Sequence, residues 1–202
     1  VARRAGENFP SLKLHASTQM TVASAKGVNL LSKKGFSRVV LSRELDLEEI
    51  RDVRANSGAE LEVFVHGALC VSESGLCLFS SYLGGKSANR GMCTQACRRR
   101  YRVGSADSSG AELSDEAFAS SMEDGKGGFF FSPADLQLID KVPDLADAGV
   151  ASLKIEGRMK SAEYVGTVVS AYRHVVDNLD GDREKALAEA RAHGASVRVY
   201  DP

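Results

Sequence analysis

The feature that most narrows the fold of this chain is a regular exchange of strand-like and helix-like segments. "SLKLHAS" (11–17) reads as a short strand, and "TVASAKGVNLLSKKG" follows as a helix with Gly35 as its stop. "FSRVVLSREL" (36–45) is a second strand. Asp46 then caps "DLEEIRDVRANSG", with Glu49 three residues on as the capping-box partner. "AELEVFVHGAL" (59–69), rich in Val and Phe, is a third strand. "FFF" (129–131) reads as a fourth, and Ser132, Pro133 and Asp135 make a helix start for "ADLQLIDKVPDLADAG", which Pro143 is expected to kink or split. "VASLKI" (150–155) is a fifth strand. Helical spacing of Tyr164, Val168, Tyr172, Val175 and Leu179 marks the next helix, and "REKALAEARAHG" a further one.

Strands separated by helix-sized connections pair in parallel. The expected fold is therefore α/β, a (β/α) TIM-barrel-like domain of which this chain is a fragment with about five of the strands and their helices. The expected organisation is 1–103 as central βα units carrying a cysteine-rich loop, 104–128 as a flexible acidic insert rich in Gly and Ser, and 129–202 as later βα units with a terminal helix. A truncated barrel would expose sheet edges, so pairing with a second copy is an expectation too. Hydrophobic residues make up 43% of the 202 and net charge is −1, which suits a globular chain and excludes a globally basic nucleic-acid binder. No apolar run approaches a membrane span, so a cytoplasmic location without membrane contact is expected.

All four cysteines fall between Cys70 and Cys97, spaced C-x6-C-x15-C-x3-C. Disulfides do not suit a cytoplasmic chain, structural zinc would favour two tighter pairs, and inert buried thiols rarely cluster. An iron–sulfur cluster is the reading the spacing favours, but the spacing matches no common ferredoxin run and the alternatives stay open.

Other polar residues gather at the carboxyl ends of the strands, where barrels and open α/β sheets keep their sites. His15 and Ser17 follow the first strand and share a face. Arg43 and Glu44 follow the second, and His66 the third. Lys154, Glu156, Arg158 and Lys160 follow the fifth. A peptidase would need an activated nucleophile or a metal-bound water. Ser17 with His15, or Cys70 with His66, are its candidates, and there is no H-E-x-x-H. Ser132 and Asp135 read as a helix cap. "CRRRYR" sets Arg98, Arg99, Arg100 and Arg102 beside the last cysteine, suited to an anion or an RNA backbone, with Tyr101 available for stacking.

The segment "ELEVFVHGALCVSESGLCLFSS" resembles the signature of the collagenase-like peptidases of family U32, E-x-F-x2-G-S/A-(aliphatic)-C-x4-G-x-C-x-(aliphatic)-S. Glu62, Phe64, Gly67, Ala68, Leu69, Cys70, Gly75, Cys77 and Ser80 match, and Phe79 departs where an aliphatic is usual. "HASTQM", "RVVLSREL", "ANRGMCTQACRRRY" and "SLKIEGRMKSAEYV" are similar to further blocks of that family, from Ser11 to about Val176, whereas 104–128 is not.

The resemblance implies the later strands of a barrel domain and two activities. One is cleavage of collagen-like or other peptides. The other is oxygen-independent hydroxylation of transfer RNA, ribosomal RNA or a quinone precursor, with a 4Fe-4S cluster on Cys70, Cys77, Cys93 and Cys97 and prephenate as a co-substrate. The second is the favoured expectation. His15, His66, Glu156 and Arg158 are the expected catalytic residues. Arg43, Glu44, Arg98, Lys154 and Lys160 are the expected substrate contacts, with Arg158 suited to clamp a carboxylate such as that of prephenate.

Overall fold

A computed structural model of the chain describes residues 2–101 and 127–194. The expected insert at 104–128 therefore lies almost wholly outside the described residues. The described chain divides into two compact units. The first runs to Cys77 and resumes at Ala134, and the second runs from Leu78 to Pro133.

The first unit is a mixed α/β structure. After a short helix α1 (Ala2–Asn8) come β1 (Leu14–Ala16), α2 (Ala25–Ser32), β2 (Phe36–Val40), α3 (Leu47–Ala55) and β3 (Glu60–Gly67). β4 (Leu136–Gln137), α5 (Val142–Asp147), β5 (Ser152–Ile155), α6 (Ala162–Asp177) and α7 (Arg183–Gly194) complete it. The helix starts follow the local chemistry. Asp46 and Glu49 form a reciprocal capping box at α3, both bonds at 2.8 Å. Ser161 caps α6 by accepting the Tyr164 N–H, and Ser24 caps α2. Pro143 does not kink a longer helix; the expected helix is split, and only its later part forms. Pro143 sits in the first turn of α5, where its missing N–H costs nothing.

β1, β2, β3 and β5 pair in parallel, as the alternation implies. The sheet has five strands, as expected of the fragment, and is not closed: β1 and β5 have no outer neighbours among the described residues. One expectation fails. The fourth strand is not Phe129–Phe131 but the two-residue β4, which pairs antiparallel with the end of β3. The helix expected from Ala134 is accordingly replaced by β4, a 3-10 turn (Ile139–Lys141) and α5.

The register fixes two faces. Val39, Leu61, Val63 and Leu153 share the face covered by helices, with Val168, Ala171, Tyr172 and Val175 of α6 in the same core. Burial of such side chains supplies roughly 1.5–3 kcal/mol each. His15, Arg38, Glu60, Glu62, Phe64, Ser152 and Lys154 share the opposite face, which is lined with charge. At the outer edge of β5 lies a cavity of about 360 Å³ walled by Val142, Val150, Leu153, Ile155, Val169 and Val176.

The second unit contains one short helix, α4 (Phe79–Gly84), and two 3-10 turns, Ala88–Arg90 and Ala96–Arg98. Tyr101 and Gly128 bridge by paired backbone bonds at 2.8 and 2.9 Å. No helix of the described residues is long and apolar enough to cross a membrane.

Candidate functional site

In the first unit, the carboxyl ends of β3 and β5 build a buried polar cluster around His66. Plain alternation would place His66 on the charged face with Glu62 and Phe64. A register shift between Phe64 and His66 instead pairs His66 with Ile155, turning its ring to the helix-covered side. There Nδ1 lies 3.3 Å from the Tyr172 hydroxyl. That hydroxyl donates its one proton to the Val65 carbonyl (2.7 Å) and accepts the Leu138 N–H (3.1 Å). The proton count then makes Nδ1 the donor to Tyr172, which leaves Nε2 as the acceptor nitrogen of a neutral imidazole.

Burial, opposed by Asp135 and reinforced by Lys160, holds the His66 pKa below its ordinary value. Burial also raises the Tyr172 phenol well above its ordinary value. Lys160 pairs with Asp135 at 3.3 Å, the Asp135 side chain being only 2% exposed, and the Lys160 ammonium lies 5.0 Å from the Tyr164 ring centroid. The Tyr164 hydroxyl is buried with no hydrogen-bond partner among the described residues. Burial raises its pKa, aided by Asp135 and then Glu156. Gly67 allows the two strand ends to close. Its φ is +103°, and a Cβ there would fall 2.4 Å from the Glu156 carbonyl oxygen.

The charged sheet face holds a second group. Glu62 accepts the Ser152 hydroxyl at 2.9 Å and pairs with Lys154 (3.4 Å) and Arg38 (3.5 Å). The Arg43 guanidinium lies 4.1 Å from the Phe64 ring centroid. Ser74 ties the Cys70–Cys77 loop to the end of β2. Its hydroxyl accepts the Arg43 N–H (3.1 Å), and its own N–H donates to the Glu44 carboxylate (2.8 Å). Gly75, at φ +81°, lets that loop press on the Thr18–Thr21 turn, where a Cβ would meet the Thr21 hydroxyl at 2.3 Å.

In the second unit the Ser80 hydroxyl organises the thiol region. It accepts the Thr94 N–H (3.1 Å) and the Thr94 hydroxyl (3.2 Å), and donates to Cys93 Sγ (3.9 Å). The Gln95 N–H also donates to Cys93 Sγ, at 3.3 Å. Donors aimed at sulfur are the arrangement that orients a metal-ligating thiolate. Phe79, Tyr101 and Phe131 pack ring on ring, with centroids 5.3–5.9 Å apart, and the Tyr101 hydroxyl donates to the Ala96 carbonyl.

The residues singled out in the sequence thus separate. His66 and Lys160 enter one cluster. Arg43 and Lys154 meet across Phe64 on the other face. Glu44 holds the Ser74 turn. Glu156 accepts the Arg158 N–H at 2.7 Å, closing a local turn at the end of β5. His15 is exposed, and the Ser17 hydroxyl bonds to Gln19. Arg98 reaches the Ser132 hydroxyl at 3.2 Å. Asp135 is not a helix cap. Its partner lies 25 residues away, a distance no cap pattern reveals.

All four cysteines are half-buried and none forms a disulfide. Cys70 and Cys77 belong to the first unit, Cys93 and Cys97 to the second. Among the described residues no three His, Cys, Asp or Glu side chains are gathered to hold a metal ion. Four cysteine sulfurs are the donor set that suits an iron–sulfur centre.

The sequence profile described as Peptidase family U32 matches residues 1–199. The chain belongs to peptidase family U32. Its U32 relatives carry two kinds of name. The tRNA hydroxylation protein P1 of Bacillus subtilis (strain 168) is 39% identical over 180 residues, 89% of this chain and 41% of that protein. The 23S rRNA 5-hydroxycytidine C2501 synthase of Escherichia coli (strain K12) is 40% identical over 176 residues, 87% of this chain and 25% of that protein. A collagenase of Porphyromonas gingivalis (strain ATCC BAA-308 / W83) is 36% identical over 181 residues, 84% of this chain and 41% of that protein. The U32 chain described here therefore spans less than half the length of each. No solved structure matches it.

For this U32 chain the sequence reasoning missed Asp135 as a buried partner of Lys160, and it read Tyr164 and Tyr172 only as apolar positions on a helix. A phenol at a core-facing helical position is the signal that could have found them, since a buried hydroxyl needs a partner.

Proposed function

We propose that the protein is a hydroxylation factor acting on RNA, with an iron–sulfur cluster of the 4Fe-4S type held by Cys70, Cys77, Cys93 and Cys97 in the cytoplasm. The observation that carries this reading is the state of the sulfurs. None of the four is in a disulfide, and Cys93 Sγ is approached by two donors, Ser80 and Gln95. A bound cluster would supply redox chemistry. The protein's own residues would bind and orient the substrate and move its protons.

His66 Nε2 is suited to accept a proton, its tautomer being set by Tyr172. Arg43, Lys154 and Arg158 are suited to anionic groups, including the carboxylate of a prephenate co-substrate. In the longer protein the open sheet would close into a (β/α) barrel. The apolar cavity beside β5 is suited to cover by a further strand and helix.

The peptidase reading rests on the relative named as a collagenase. Against it, the Ser17 hydroxyl is bonded to Gln19, and His66 to Tyr172 rather than to a thiol. The deciding experiment is mass spectrometry of tRNA and rRNA nucleosides from cells lacking the full-length gene. The expected result is loss of one hydroxylated pyrimidine, restored by the wild type and not by Cys77→Ala. Unchanged nucleosides, together with gelatin cleavage by a chain lacking Cys93 and Cys97, would establish the peptidase.

A further inference from the structure

Between Glu73 and Asp107 the sequence carries Lys86, Arg90, Arg98, Arg99, Arg100 and Arg102 and no acidic residue. Lys86, Arg90, Arg99 and Arg100 are exposed. The acidic residues between 104 and 126 lie outside the described residues. A unit as small as the second has a radius of gyration of about 10 Å, so its cations lie within the span of a few nucleotides. Like charges so close repel one another, and a polyanion offsets that repulsion.

The aromatic side chains show which polyanion. Tyr101 is not the stacking residue its neighbours in "CRRRYR" suggest. It is consumed in the unit's own core, between Phe79 and Phe131 and bonded to Ala96. Tyr82, on α4, is 88% exposed, with Leu78 (68%) beside it, and α4 touches both 3-10 turns that carry Arg90 and Arg98. An exposed ring on a segment rich in exposed cations is what unpaired bases stack upon. A duplex, whose bases are already stacked, gains nothing from it.

We infer that the second unit is a docking surface for single-stranded RNA, in which Tyr82 stacks a base while Lys86, Arg90, Arg99 and Arg100 follow the phosphates. This rests on the RNA reading above and adds where and in what form the RNA is held.

The test is fluorescence anisotropy of a labelled single-stranded RNA of about twelve nucleotides with the full chain, across roughly 50 to 200 mM salt. The double variant Arg99→Ala/Arg100→Ala is expected to weaken binding and to flatten the plot of log affinity against log salt by about 1.4, two phosphate contacts at about 0.7 each. Tyr82→Ala is expected to weaken binding about tenfold with the slope unchanged. Because the Tyr82 ring is almost wholly exposed, its loss leaves the fold intact, which circular dichroism checks. Lys33→Ala/Lys34→Ala, exposed in the first unit, matches the charge change and is expected to leave the slope as it was.

RNA bound equally well by wild type, Arg99→Ala/Arg100→Ala and Tyr82→Ala would overturn this surface while leaving the RNA function standing. Failure of every chain to bind RNA would remove both. Duplex RNA bound as tightly as single strands, with Tyr82→Ala without effect, would overturn the stacking role.

Discussion

The two units hold themselves together by different means. The first buries Val39, Leu41, Leu61 and Val65 completely between a sheet and its helices. The second buries only Ala96 and Ser80 among its described residues, and relies on one hydroxyl, three aromatic rings and a two-residue bridge. Stability follows buried apolar area, so the first unit is the scaffold and the second opens at lower free energy. The difference teaches where chemistry is affordable. The second unit carries two of the four thiols, the exposed cations Lys86, Arg90, Arg99 and Arg100 and the exposed tyrosine, groups that contribute little to a core.

The comparison breaks most sharply at Leu61. Leu61→Ala is expected to destabilise the first unit by about 2–5 kcal/mol in denaturant titration. Ser80→Ala is expected to leave that transition unmoved and to speed amide exchange at Thr94 and Gln95. A Ser80→Ala chain that loses global stability to the same degree would show one cooperative core instead of two.

Tyr172→Phe comes next. It leaves the Val65 carbonyl and the Leu138 N–H bonded to each other (2.9 Å) but takes the partner from the buried His66 Nδ1, at a cost of about 1–3 kcal/mol. Its nuclear magnetic resonance signature is loss of the fixed Nδ1–H tautomer of His66, an effect that a purely packing role for Tyr172 would not produce.

The smallest effect is that of pH. The folded His66 pKa lies below the unfolded value of about 6.5, so the unfolded chain binds the proton more readily. The stability it contributes is complete above about pH 6.5 and falls as pH drops toward the folded pKa. Denaturation midpoints measured on both sides of that value should diverge for the wild type and less so for His66→Gln.

The same contrast explains what the sequence made legible. In the first unit the parallel strands, the Asp46–Glu49 capping box and the Gly35 stop were readable, because periodicity and caps are local. The "FFF" run was misread because a short apolar run fits a strand and an aromatic cluster equally well. Phe131 packs against Phe79 and Tyr101, 52 and 30 positions earlier in the chain, beyond the reach of any local pattern. The face of His66 depended on a bulge, and the role of Asp135 on Lys160 beyond a whole strand. The clustering of the cysteines between 70 and 97 was legible in the sequence, but their division between two units was not.

The most direct measurement is the iron and acid-labile sulfide content of the full-length protein purified without oxygen. The account predicts about four of each per chain, with broad absorbance near 400 nm, both lost in Cys77→Ala and in Cys93→Ala, one thiol from each unit. A colourless, iron-free protein, or one whose iron survives the loss of either thiol, would contradict it.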